Sequence, residues 1–367
     1  MQQHIMEEGE VVRLFLKNGY QLSRAALPLV ISNPEQIIFE LKKLKPRPFI
    51  ITDKHVKKIL KEIKKPIPKL ELLKEYNQLK KPIKIDDYVK HFLNRYEKIK
   101  KIISKRMDPK ELVSINKITL QTIKISIIGI VREKGRGNLL IEDPTGEMNI
   151  FFDENIKEKF NDIFLDDVIG IKCKKIKDNY YAKNVIYPDV LSSREINKTE
   201  NNTKIMVVSN PSSLDNTKHQ KLLNLILTTE NLSSIFLFEN EPNKKLEEFS
   251  KFNPINISSN SNPSIYQINN IKILVLSKHL FRQTKKTNPI DFITSILKRR
   301  CILTVFNSKT HVEGNNFILD EIPDIIISNF DGSAYKNYKG TTIISNSEPN
   351  KIYLIDLRTR EIMEKTI

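Results

Sequence analysis

The chain has 367 residues, 39% of them hydrophobic and 29% charged, with a formal net charge of +17. That length holds two or three domains with real cores, and the positive excess fits a polyanionic partner, nucleic acid above all. Only two cysteines occur, Cys173 and Cys301, too few and too far apart for a disulfide scaffold or a zinc ribbon. The opening residues are polar and no apolar run reaches the ~20 residues of a membrane span, so the sequence predicts a soluble, cytoplasmic protein with no membrane partner. An AT-rich genome would also enrich Lys, but the charge is unevenly placed. Residues 1–110 carry 26 Lys and Arg against 13 Asp and Glu, so 13 of the 17 surplus charges sit there.

Residues 1–62 read as a small helical domain. Val11, Val12, Phe15 and Leu16 form one apolar stripe that Gly19 ends. Asn33-Pro34 has the form of an N-cap with proline at the first helical position, and Ile37, Ile38, Leu41 and Leu44 share the face that follows. Thr52 is placed to cap a third helix with Val56, Ile59, Leu60 and Ile63 on its inner side. Residues 63–112 read as a basic linker, interrupted by Pro66, Pro68 and Pro82, with one short helix at Leu70–Leu79 and then an amphipathic helix from Asp86 to Met107. The buried stripe of that last helix is Val89, Phe92, Leu93, Tyr96, Ile99 and Ile103. Lys98, Lys100, Lys101 and Lys105 lie elsewhere on it and are candidate DNA contacts, as are Arg299 and Arg300. The stretch 41–107 holds 22 Lys and Arg against 7 Asp and Glu, so DNA affinity is expected from it, independent of sequence and steeply dependent on salt.

From residue 113 to 190 the period changes to that of strands. Branched residues from Ile118 to Ile130 predict a long strand. A Gly135-Arg136-Gly137-Asn138 turn, a strand at 139–143, a Pro144-Thr145-Gly146 turn and a strand at 148–152 follow. A short helix to Phe160 and strands near 168–174 and 180–186 complete three strands, a helix and two strands, which is the OB-fold arrangement. Residues 200–367 alternate strand and helix and predict an α/β sandwich. Strands are expected at 205–209, 235–238, 255–257, 271–276, 302–306, 317–319, 325–327, 341–344 and 352–357, and helices at 217–228, 244–252 and 290–300.

Several phrases taken in order give this chain a family resemblance. "FLKNGYQLSRAAL" at 15–27, "RYEKIKKIISKRM" at 95–107, "IIGIVREK" and "EDPTGEMNIFF" within 127–152, "VIYPDV" at 185–190, "ILKRRCIL" at 296–303, "EIPDIIISNFDGSAYKNYKG" at 321–340 and "TIISNS" at 342–347 resemble the small subunit of the archaeal D-family DNA polymerase, a relative of the B-subunits of eukaryotic replicative polymerases. The resemblance implies a multi-domain α+β chain: a helical N-terminal domain, an OB-fold barrel and a C-terminal calcineurin-like phosphoesterase domain. It also implies a large catalytic subunit and DNA as partners.

In that family the last domain uses divalent metal ions for 3′–5′ exonuclease chemistry, with ligands in the order D-x-H, G-D, G-N-H, His and G-H-x-H. Here Asn210 stands at the Asp position and Ser212 at the His position of the first motif. Phe238-Glu239-Asn240 has no G-D, and 256–260 has no G-N-H. Ser277 and Lys278 stand where His-Gly would, with His279 out of register, and Phe330 and Gly332 fall in the last motif. Two-metal chemistry needs clustered carboxylate and imidazole donors, so the expectation is a degenerate domain with no catalytic residue, no metal ligand and no cofactor. A non-catalytic polymerase subunit follows. The rival readings are an active metal-dependent exonuclease subunit with an unusual site, and a stand-alone single-strand DNA-binding protein.

Overall fold

A computed structural model describes all residues except 1–6, 32–33, 64–67, 77–84, 120, 240–254, 260–262, 279–287 and 303–316. The N-terminal unit contains α1 (Glu8–Lys17), β1 (Gln21–Leu22), α2 (Leu27–Val30), α3 (Pro34–Lys43), β2 (Ile50–Ile51) and α4 (Asp53–Ile63). Its core is Val11, Phe15, Ile37, Leu41, Val56 and Ile59, all buried. The helices therefore meet through these apolar residues, joined by a two-stranded parallel pairing of β1 with β2, while Leu16 of the first expected stripe is exposed. The proposed cap at Asn33 lies outside the described residues.

The linker reading of 63–112 is corrected at its centre. Residues Leu70–Glu75 form a strand, β3, not a helix. β3 pairs antiparallel with β12 (Ser264–Ile268) nearly two hundred residues later, and Tyr76 donates its N–H to Pro263 O at 2.9 Å. Local spacing of Leu70, Leu72 and Leu73 does not choose between helix and strand. The distant partner makes the choice. Then comes α5 (Ile85–Ser104), close to its expected bounds. Tyr96, Ile99, Ile103 and Met107 pack on Ile128, Ile130 and Val168, and the Tyr96 hydroxyl donates to Ile128 O at 3.1 Å, whereas Val89 and Leu93 of the expected buried stripe are exposed.

Five strands close into a barrel: β4 (Lys124–Lys134), β5 (Asn138–Asp143), β6 (Gly146–Phe151), β7 (Val168–Ile176) and β8 (Asn179–Ile186), in the order β4-β5-β6-β8-β7. Between β6 and β7 runs the short α6 (Lys157–Asn161). The β4 strand starts at Lys124 rather than Ile118, after a 3-10 turn at Ile115–Lys117. It reads as an unbroken apolar run because both faces are covered. Ile125, Ile127 and Val131 point into the barrel, while Ile128 and Ile130 lie under α5. Two glycines permit this packing. A Cβ on Gly129 would stand 2.8 Å from Glu142 O, and one on Gly170 would stand 2.6 Å from Met107 Sδ and 2.8 Å from Ile103 Cγ2.

The rest is a two-sheet sandwich. One sheet, β11-β10-β9-β17-β18, is built from β9 (Lys204–Ser209), β10 (Leu232–Phe238), β11 (Asn256–Ser259), β17 (Lys351–Asp356) and β18 (Ile362–Thr366). The other, β15-β16-β14-β13-β12-β3, adds β13 (Ile271–Leu276), β14 (Ile325–Ser328), β15 (Ala334–Tyr338) and β16 (Thr341–Ser345). Within them β9, β10 and β11 run parallel, as do β13, β14 and β16. The inner faces share one apolar core that includes Val207, Phe236, Ile273, Ile327 and Tyr353. On the outside, α7 (Asn216–Thr228) supplies Leu222 and Ile226 to the first sheet, and α8 (Pro289–Arg299) supplies Ile293, Ile296 and Leu297 to the second. The sequence missed β12, β15 and β18. The expected helix at 244–252 lies outside the described residues, as does all of the expected strand 302–306 but Ile302, and 317–319 contributes only an isolated bridge from Ile318 to Cys301. Among the described residues no helix is long and apolar enough to cross a membrane.

Candidate functional site

In a sandwich of this kind the loops after the parallel strands gather at one edge, the usual place for ligands in open α/β sheets. Here the two sheets are tied together at that edge, where Ser209 Oγ at the end of β9 donates to Asn346 O after β16 at 2.5 Å. Asn210 adopts a left-handed conformation, φ 45°, which Asn tolerates better than most residues, and its N–H donates to Phe238 O at 2.8 Å. Ser212 donates its N–H to Glu239 Oε1 at 2.7 Å, and its hydroxyl contacts the same oxygen.

Across the edge, Ser277 and Phe330 are each 2% exposed. Asn329 Oδ1 accepts from Lys278 N at 2.8 Å, and Ser345 Oγ donates to Phe330 O at 3.1 Å. Gly332 N donates to Ser347 Oγ at 2.9 Å, while Asn346 Oδ1 accepts from Ser333 Oγ at 3.1 Å. The positions the sequence singled out stand at or just after strand ends, and Asn210, Ser212, Phe330 and Gly332 are hydrogen-bonded to their neighbours Phe238, Glu239, Ser345 and Ser347. Among the described residues no group of three or more His, Cys, Asp or Glu side chains is placed to share a metal ion. His279 lies outside them.

The basic candidates divide. Lys101 is exposed on α5 and Lys105 in the turn just after it. Lys98 pairs with Asp320 at 3.3 Å, and Lys100 sits 5.1 Å from the centre of the Tyr96 ring. Arg299 is only 4% exposed, so its guanidinium presents no surface to DNA. It meets both oxygens of Asp167 at 3.0 Å, contacts the Asp162 carbonyl and lies 4.2 Å from the Phe164 ring centre. Asp162, Phe164 and Asp167 belong to the barrel, so this buried pair joins barrel to sandwich. Burial pushes the Asp167 carboxyl up, while the Arg299 guanidinium and the Phe164 N–H pull it down. Arg300, left-handed at φ 52°, donates to Leu319 O at 3.1 Å and points at Asp189 O. Desolvation, with Arg106 and Arg194 nearby, lowers its pKa to about 10. The sequence identified the pair of arginines and not their partner Asp167, because nothing in local spacing announces a contact 132 residues away.

This topology defines a chain with a helical front, a closed five-stranded barrel and a layered α/β sandwich bolted to it. No family model matches it. In sequence it is similar to the DNA polymerase II small subunit of Archaeoglobus fulgidus, 21% identical over 210 residues, covering 50% of this chain and 43% of that protein. The chain therefore spans less than half the length of that relative. Among solved structures, an archaeal phosphodiesterase overlaps 45% of this chain and 100% of its own with a TM-score of 0.29 and 11% identity. The Vps29 protein of Chaetomium thermophilum, complexed with a cyclic peptide, overlaps 45% of this chain and 96% of its own with a TM-score of 0.28 and 12% identity. Overlaps of that size leave the fold to be read from the chain's own strand order.

Proposed function

We propose that this chain is the non-catalytic small subunit of a D-family replicative DNA polymerase, a scaffold that contacts DNA and docks a large catalytic subunit. Its barrel is OB-type by its strand order, and its sandwich is a phosphoesterase-like domain that no longer performs hydrolysis. The small-subunit relative in Archaeoglobus fulgidus supports the partner. The observation that carries the non-catalytic part is the chemistry of the strand ends. A two-metal site needs carboxylate and imidazole donors, whereas these positions carry an amide at Asn210, hydroxyls at Ser212 and Ser277 and no donor side chain at Phe330 or Gly332, and the Ser212 hydroxyl is engaged by Glu239. Phe330 is buried in the sandwich.

The test is a 3′-labelled single strand incubated with the purified chain and Mn²⁺, alongside metal analysis of the protein. The expected outcome is an intact strand and no stoichiometric metal. About two tightly held equivalents per chain, with shortening of the strand, would replace this reading with that of an active exonuclease subunit. Co-expression with the large subunit of a D-family polymerase tests the docking role, and separate elution of the two chains would remove it.

A further inference from the structure

The barrel carries an outward-facing aromatic pair that neither its core nor the sandwich uses. On β6 and β8 the side chains alternate, so Ile150 and Tyr180 point inward while Phe151 and Tyr181 point out and remain half-exposed. These two strands run parallel with Phe151 in register with Tyr181. Their ring centres are 5.7 Å apart at an interplanar angle of 36°. The row continues on both sides across the barrel wall: Asn138 lies opposite Phe151, Lys174 opposite Tyr181 and Lys124 opposite Lys174. Arg136, exposed at the tip of the turn before Asn138, stands at the same end. Among the described residues no carboxylate lies within ion-pair distance of Lys124, Arg136 or Lys174.

We infer that this row is a stacking platform for the bases of a single-stranded nucleic acid. Two adjacent half-exposed rings offer a sequence-tolerant face to successive bases, and cations along the row meet the phosphates between them. A purely apolar protein partner would leave those three cations to be desolvated without compensation, so the charge favours a polyanion that also carries flat rings. Asn138, with Nδ2 held at 3.1 Å from Asn149 Oδ1, adds a polar edge beside Phe151. The inference deepens the DNA-contacting part of the proposed role but stands on the barrel alone, so it is tested with the isolated full-length chain and no large subunit.

The probe is a fluorescent thymidine oligonucleotide of about 20 nucleotides, long enough for the ~4–16 nucleotides that one such barrel covers. An abasic strand of equal length keeps the phosphates and removes the bases. At about 0.2 M salt, where the phosphate contribution is weakened, the double variant Phe151→Thr/Tyr181→Thr is expected to bind the thymidine strand at least about 30-fold more weakly, the loss of two stacked bases. The abasic strand should bind wild type and variant alike. Lys174→Ser should weaken both strands equally and flatten the salt dependence by about one phosphate contact. Independently of any variant, a 5-iodouracil strand irradiated on the wild-type chain should cross-link to peptides containing Phe151 or Tyr181. Equal binding of the thymidine strand by wild type and a folded double variant overturns the platform, as does an abasic strand that binds wild type as tightly as thymidine. Cross-links confined to other segments also overturn it. Unchanged strand affinity with lost association to the large subunit reassigns the face to a protein interface.

Discussion

Arg299 and Asp167 show how a surface-looking residue becomes structural once its partner is known. Two adjacent arginines after a helix invite a reading as phosphate contacts, and a helix C-terminus already favours basic residues. The fold turns one of them inward, against a carboxylate that is 1% exposed. Arg299→Met is expected to cost about 3–5 kcal/mol in urea unfolding, because Asp167 would stay buried without its counter-charge. Adding Asp167→Asn should recover most of that loss, since a neutral amide oxygen can still accept the Phe164 N–H, now 2.9 Å from Asp167 Oδ2. A double variant no more stable than the single one would show that packing around Phe164 matters more than the ion pair. The cysteines make a second test at this scale. Burial pushes the Cys173 thiol up to about 12, and both cysteines are enclosed. The thiolate is the reactive form, so neither should react with a disulfide reagent near pH 8 until the chain is unfolded, when two equivalents should titrate. One equivalent reacting in the native state would mean that the barrel or the adjoining layer opens.

Among the elements, α5 was legible and β3 was not, for the same physical reason seen from two sides. The stripe Tyr96, Ile99, Ile103 repeats at helical spacing and needs only one broad apolar surface to pack on, so the sequence alone announces it. A six-residue edge strand carries its information in β12, far along the chain, and three leucines among charged residues say little by themselves. The barrel strands were legible because β-branched runs are bounded by turn residues. β12, β15 and β18 were hidden because polar residues dilute their alternation. What the strand-end positions touch was hidden, because a bond such as Ser212 to Glu239 joins segments 27 residues apart. Packing of α5 on the barrel sets the next prediction. Gly170→Ala should destabilise by about 1–3 kcal/mol through overpacking against Met107 and Ile103, and Ile103→Ala by about 2–5 kcal/mol through the cavity left behind. Combined, Gly170→Ala with Ile103→Ala should be less damaging than the two losses added, since one change vacates part of the space the other needs. Chemical denaturation of the four proteins measures the coupling, and strict additivity would show that α5 does not bear on Gly170.

Over the whole molecule, the order of domains in sequence understates how the layers are joined. The segment expected to be a tether supplies an edge strand to the sandwich through β3 and covers the barrel with α5. The sandwich holds the barrel through Arg299, through Lys298 against Asp162, and through Lys339, whose ammonium meets Asp189 at 2.5 Å just beyond the last barrel strand. Tyr338 OH donates to the same carboxylate at 3.0 Å. By contrast the helical front has a core of its own, in which every buried member comes from the first 59 residues. Cooperative units follow shared buried contacts rather than chain order. Calorimetry of the full chain should therefore resolve two transitions, one for the helical front and one for barrel, strand and sandwich together. Arg299→Met should lower only the second and leave it single. A fragment starting at residue 113 lacks both β3 and α5 and should aggregate or melt broadly, whereas one starting at residue 68 should reproduce the second transition. If Arg299→Met instead splits the larger transition into separate barrel and sandwich steps, the ion pair is the main bond between two otherwise independent bodies, and the platform on the barrel would be free to turn relative to the strand-end face.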